Sequence, residues 1–294
     1  MAKYDGKYLR GVIGGISFRR RDNQQIAQRR PGRGRVHQTA ATRACSDEFG
    51  RASTIGATLR RSMSNLWAGT GDGGMVNRLV SRVAGVIRSD GRHVRGERQL
   101  KEGDLNLLNG FDFNSRAPLR GILGCFPEVQ MEEGRLRVNV GPIERKRMKV
   151  PSKATGCEIG LRVVAYDLEG RHYQALDDRV EYRKFGVGNQ EPLNWDLELQ
   201  AEEGTMIMVA LSVRFYREFG QVRHEVDPTA DAAAIIGVAR KEETENKVNR
   251  VLEKEHWTTQ KPTRETVSER IRGVSPLTLT RGTCEESKDL ISGP

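Results

Sequence analysis

The chain has 294 residues, a net charge of +10, four cysteines and an apolar share of 36%, below the about 45–50% usual for a compact globule, so part of it must stay solvated or be buried only against partners. No apolar run approaches the length of a membrane span, which excludes a helical membrane protein. The opening Met1-Ala2-Lys3-Tyr4-Asp5-Gly6 lacks the apolar stretch of a secretory signal, so the expected place of synthesis is the cytoplasm, with a final location in an extracellular or particle assembly left open.

The basic excess sits at one end. Residues 1–100 hold 20 Lys+Arg against 7 Asp+Glu, whereas residues 101–294 hold 29 against 32. Eighteen of the first 20 are arginine, whose planar fork binds carboxylates and phosphates bidentately. Within residues 1–38, Val12-Ile13-Gly14-Gly15-Ile16-Ser17-Phe18 is β-prone and runs into Arg19-Arg20-Arg21. Asp22-Asn23 signals a turn, and Gln24 to Arg30 reads as a return strand ended by Pro31-Gly32. The result is a basic β-hairpin arm with a thin apolar face of Ile16, Phe18 and Ile26. A lone two-stranded hairpin is marginal in water, so this one is expected to lie on a surface from elsewhere. Ile16, Phe18 and Ile26 are the expected anchors; Arg19, Arg20, Arg21, Arg29, Arg30, Arg33 and Arg35 are the expected docking cations.

Residues 39–116 read as a helical region. Ala41, Cys45, Phe49, Ala52, Ile55, Leu59, Met63 and Leu66 recur in steps of three or four, with Thr39 or Thr42 as a cap. Gly50 and Gly56 lie inside this pattern, each costing about 1 kcal/mol in an exposed helix unless another backbone approaches closely. After Gly69–Gly74, Met75, Leu79, Val80, Val83 and Ile87 share a second helical face, and the two faces are expected to pack as an αα-hairpin. A short helical turn is expected at Asp104–Asn109, with Phe111 and Phe113 as anchors.

From 117 to 240 the apolar period becomes two. Expected strands are Val129–Glu132, Arg135–Val140, Cys157–Ala165, His172–Glu181, Leu193–Leu199, Met206–Arg217 and Ala233–Ala239, with turn signals at Glu133-Gly134, Glu169-Gly170 and Glu203-Gly204. Such a series argues for an antiparallel β-sandwich, and the whole for an α+β chain. Residues 241–294 read as a charged helix and an extended polar tail.

Gly14-Gly15-Ile16-Ser17-Phe18-Arg19-Arg20, Ala27-Gln28-Arg29-Arg30-Pro31, Gln38-Thr39-x-Ala41-Thr42 and Phe49-Gly50-x-Ala52-Ser53 together resemble the opening of a bacterial family of uncharacterised proteins, a domain of unknown function. The resemblance covers about the first 65 residues. It implies a basic β arm, a helical segment and a C-terminal β-sandwich, and it supplies no catalytic residues.

The chemical motifs are weak. Gly69-Thr70-Gly71-Asp72-Gly73-Gly74 fits G-x-G-x-x-G, but a helix precedes it where a dinucleotide site needs a strand, so an interhelix loop is expected. His224-Glu225-x-Asp227 offers three potential ligands without a second cluster, and a polar turn is the simpler reading. The cysteines match no zinc pattern and are expected to be small buried hydrophobes. Asp177-Asp178 points to opposite faces of a strand and makes no acid–base couple. No catalytic triad, metal, cofactor or small-molecule substrate is identified. The leading expectation is a non-enzymatic subunit of a homo-oligomeric filament, fibre or shell, self-associating through the arm. The alternative is nucleic-acid binding or packaging through the same arginines, with an enzyme third and no membrane partner.

Overall fold

The computed structural model describes residues 2–21, 24–30, 38–67, 72–132, 134–169, 171–186, 191–220 and 222–241. The expected charged helix and tail, apart from Lys241, lie outside the described residues. The chain forms two compact units, 1–47 and from 48 onward.

The first unit carries four antiparallel strands: β1 (Lys3–Tyr4), β2 (Leu9–Ile13), β3 (Ile16–Arg21) and β4 (Gln24–Arg29), in the order β1-β2-β3-β4. The sequence alone predicts a single strand from Val12 to Phe18. The structure breaks it at Gly14 and Gly15, whose φ values of +54° and +93° suit the tight turns that match strand twist. A two-stranded hairpin thereby becomes a four-stranded meander.

Helix α1 (Ala40–Ser62) begins where Thr39 Oγ1 accepts the Thr42 N–H at 3.2 Å, an N-cap that satisfies a free donor of the first turn. Its buried face is Glu48, Ala52, Ile55, Leu59 and Ser62. The expected stripe is corrected at its start: Phe49 is 63% exposed and Cys45 is exposed. The face turns by one residue because the Glu48 carboxylate accepts the Gly96 N–H at 2.8 Å. A short helix α2 (Ser64–Trp67) follows, then α3 (Met75–Arg88), which buries Met75, Leu79, Val80, Val83 and Ile87. A Cβ on Gly56 would stand 3.2 Å from Val80 Cγ2 and 3.7 Å from Val80 Cα, so this glycine serves the close approach of α1 to α3. Gly50 has nothing within 4 Å, and no close approach explains it. A 3-10 turn spans Leu105–Leu108, capped by Asp104, and Phe111 and Phe113 beyond it are buried.

Beyond α4 (Leu119–Leu123) the chain is strands: β5 (Glu128–Glu132), β6 (Arg135–Val140), β7 (Gly156–Tyr166), β8 (Tyr173–Lys184), β9 (Leu193–Glu198), β10 (Met206–Phe219), β11 (Val222–Glu225) and β12 (Ala232–Arg240). One sheet runs β11-β10-β7-β8 with β12 also on β10; the other runs β5-β6-β9; every pairing is antiparallel. The fold is therefore α+β with antiparallel sheets.

Alternation explains the core. Leu161 and Val163 of β7 and Leu211 and Val213 of β10 share one buried cluster with Val138 of β6 and Trp195 of β9. Their neighbours Val164, Tyr166, Met208 and Ala210 share a second cluster with Ile55, Leu59, Leu79 and Val83 of the helices. Both faces of the larger sheet are covered at its centre, which is why β7 and β10 read as nearly unbroken apolar runs. The two helical faces expected to pack on each other lie in a cluster that this sheet completes, fastened by the buried Ser62–Tyr166 hydroxyl pair.

Candidate functional site

In an antiparallel pair, residues directly opposite share a face. Ile13 opposes Ile16, which opposes Arg29; Phe18 opposes Ala27. Ile13, Ile16, Phe18, Ala27 and Arg29 therefore share one face of the first unit's sheet. Arg19 opposes Ile26, and Ser17 opposes Val12 and Gln28, so these lie on the other face. This corrects the expected apolar face: Ile26 belongs with Arg19, while Ile13 of the missed strand joins Ile16 and Phe18. The diglycine turn is the signal that would have found it.

These anchors are poorly covered. Ile13 is 52% and Ile16 45% exposed, Phe18 and Ile26 are half-buried, and Tyr8 alone is buried among described residues 2–30. Arg19, Arg20, Arg29 and Arg30 are exposed. The Arg20 guanidinium lies 4.9 Å from the Tyr8 ring centre, a cation–π contact. Arg21 ends β3 opposite Gln24, and the Arg30 N–H donates to the Gly15 carbonyl at 2.6 Å, closing the sheet. Arg33 and Arg35 lie outside the described residues. Residues 1–30 carry eight Lys+Arg against Asp5 and Asp22. Asp5 pairs with Arg10 at 3.4 Å, and its carboxyl is held below the usual range mainly by N–H donors of Tyr8 and Lys7.

The second unit gives the remaining motifs structural work. Gly69 to Gly71 lie outside the described residues. At the loop's far side the Asp72 carboxylate accepts the Ser115 N–H and hydroxyl, the Gly74 N–H and the Arg78 guanidinium, at 2.7–2.8 Å. The two Ser115 bonds do most to lower its pKa to about 2. Asp72 thus ties the start of α3 to residue 115. His224 lies in β11, which replaces the expected polar turn; its ring meets Phe219 edge-on with centres 5.8 Å apart. No group of three metal-ligating side chains occurs among the described residues. Cys157 is buried and Cys125 half-buried, while exposed Cys45 departs from expectation and Cys284 lies outside the described residues.

Asp177 and Asp178 point apart. Asp178 accepts from buried Arg162 at 2.6 and 2.8 Å, and Asp177 pairs with Arg179 at 2.8 Å. The Arg223 guanidinium sits 3.9 Å from the Tyr182 ring centre and 5.3 Å from that of Tyr216. Among the described residues, no helix is long and apolar enough to cross a membrane.

Comparison with protein-family models, with curated proteins and with solved structures returned no match.

Proposed function

We propose that this chain is a non-enzymatic assembly subunit, with a β-sandwich body and an N-terminal basic arm that self-associates into a homo-oligomeric filament, fibre or shell. One observation carries the reading. A four-stranded sheet spanning residues 3–29 buries a single side chain, Tyr8, among its described residues and leaves Ile13 and Ile16 about half exposed. Sheets gain their stability from a covered apolar face, so this one is completed by a partner surface. Arg29, opposite Ile16, and Arg20, two residues beyond Phe18, share that face, and a guanidinium there gains most from an opposing carboxylate.

Light scattering on the full chain and on a variant lacking residues 1–38 tests the reading. The full chain is expected as an oligomer and the truncated chain as a smaller species. Equal masses for the two would sink it. The exposure of Arg19, Arg20, Arg29 and Arg30 favours a second reading, nucleic-acid binding or packaging. That reading expects a mobility shift at low salt that collapses as salt is added, because bound phosphates release counterions.

A further inference from the structure

Two arginines of α3 carry a charge that the described residues answer only in part. Arg78 and Arg82 stand four residues apart, so they share one side of the helix, where like charges repel. Arg78 is fixed in place. Its guanidinium donates to the Asp72 carboxylate at 2.7 Å and to the Asp112 and Phe113 carbonyls at 3.2 and 3.5 Å, and it lies 5.6 Å from the Phe111 ring centre. Arg82 is exposed and donates to the Leu107 carbonyl at 3.2 Å. Among the described residues no carboxylate pairs with it.

Both guanidinia line a cavity of about 550 Å³ between α3 and residues 110–115. Buried Phe111 contributes to the lining, and Asn77 and Ser81 of α3 lie at its exposed rim. Asp112 lines the other wall, where its Oδ1 accepts the Leu119 N–H at 2.8 Å. Burial raises this carboxyl above its ordinary range, opposed by that N–H and by the charges of Arg78 and Arg82. Asp112 therefore lies in the field of both guanidinia, and among the described residues it forms an ion pair with neither. The start of α3 is already taken by Asp72, so the positive charge of the cavity belongs to the two side chains.

The balance of groups selects a class of ligand. Cavities of about 300–1,000 Å³ hold small molecules, and this one falls inside that range. Two cations face one carboxylate, which disfavours a cationic ligand. An apolar ligand would strip water from Arg82 and Ser81 without replacing their hydrogen bonds. A phosphate or carboxylate instead accepts paired N–H groups from a guanidinium. We propose that this cavity binds a free, sugar-sized anion, with Arg82 hydrogen-bonding its phosphate or carboxylate, Arg78 adding charge, and Asn77 and Ser81 meeting its hydroxyls. The site lies wholly in the second unit and does not depend on the arm, so it goes beyond the assembly reading.

Isothermal titration calorimetry of the full chain tests the site, with glucose 6-phosphate, gluconate and neutral glucose as probes. At least one of the two anions is expected to bind, and glucose is not. Whichever anion binds more tightly identifies phosphate or carboxylate as the charged end. Arg82→Gln, a change at an exposed position, is expected to weaken the bound anion about ten- to hundredfold, the loss of a charge-assisted contact. Asp112→Asn keeps an acceptor for the Leu119 N–H and removes a like charge, so it is expected to tighten binding about two- to tenfold. General damage to the fold would weaken binding in both variants, so the opposite signs mark the site. Should Asp112→Asn fail to fold, Arg82→Gln still decides. Binding of neither anion, binding of glucose as tight as that of the anions, or an affinity unmoved by Arg82→Gln would overturn the proposal. None of these outcomes bears on the mass of the oligomer.

Discussion

At the scale of single residues, Asp231 shows how burial sets a pH response. It immediately precedes β12, has no exposed surface, accepts the Phe215 N–H at 3.0 Å, and its own carbonyl accepts from Asn114 at 2.9 Å. Burial, opposed by that N–H and aided by the charge of Glu225, raises its pKa from 3.8 to about 7. The folded state therefore holds a proton that the unfolded chain releases. Stability tied to this group is present below pH 3.8 and is lost as pH climbs to about 7. Asp231→Asn keeps the acceptor for Phe215 and removes the ionisation. At pH 8 it is expected to be more stable than the parent by about 1–3 kcal/mol, with the gap closing toward pH 4. Urea unfolding of both chains across that range is the measurement; parallel profiles would mean that the carboxyl ionises like any other.

At the scale of elements, glycines of the helical region separate propensity from packing. Gly50 lies in α1 with nothing within 4 Å of a would-be Cβ, so Gly50→Ala is expected to stabilise by about 0.5–1 kcal/mol through helix propensity alone. A Cβ on Gly103 would fall 2.1 Å from the Val86 carbonyl oxygen at the end of α3, a backbone clash that no side-chain rotation relieves. Gly103→Ala is expected to cost about 2–4 kcal/mol or to prevent folding. Thermal unfolding of the two variants beside the parent reads both signs. The sequence carried most of these elements plainly, because alternation over 129–140 and 193–199 and the three-or-four spacing of Met75 to Ile87 are local signals. It missed what depends on distant partners. Nothing near Phe49 announces that Glu48 will be drawn inward by the Gly96 N–H. Strand β11 hid in a polar stretch because its pairing with β10 puts Arg217 beside His224 instead of an apolar pair. Membership of the arm's face was legible only in part: the turn at Gly14-Gly15 brings Ile13 opposite Ile16, and the β3–β4 register sets Ile26 opposite Arg19, away from Ile16 and Phe18.

At the scale of the whole molecule, the two units differ in how each obtains its stability. Both buried clusters draw their members from residues 52 to 238, so both apolar cores belong to the second unit. The first unit holds the cationic strands and exposed Ile13 and Ile16, with Tyr8 its sole buried apolar side chain among the described residues. Removing residues 1–38 cuts ahead of Thr39 and keeps the N-cap of α1. The truncated chain is therefore expected to melt cooperatively, with a Tm within about 2–4 °C of the dissociated full chain, the equivalent of about 1 kcal/mol at this size. Its hydrogen-exchange protection in β7 and β10 is expected to persist, because those strands are covered on both faces by residues that remain. In the oligomer the full chain should gain protection along β4, which pairs with β3 alone among the described strands. A fall in Tm of 10 °C or more on truncation, on the order of several kcal/mol, would mean that the arm belongs to the body's own core.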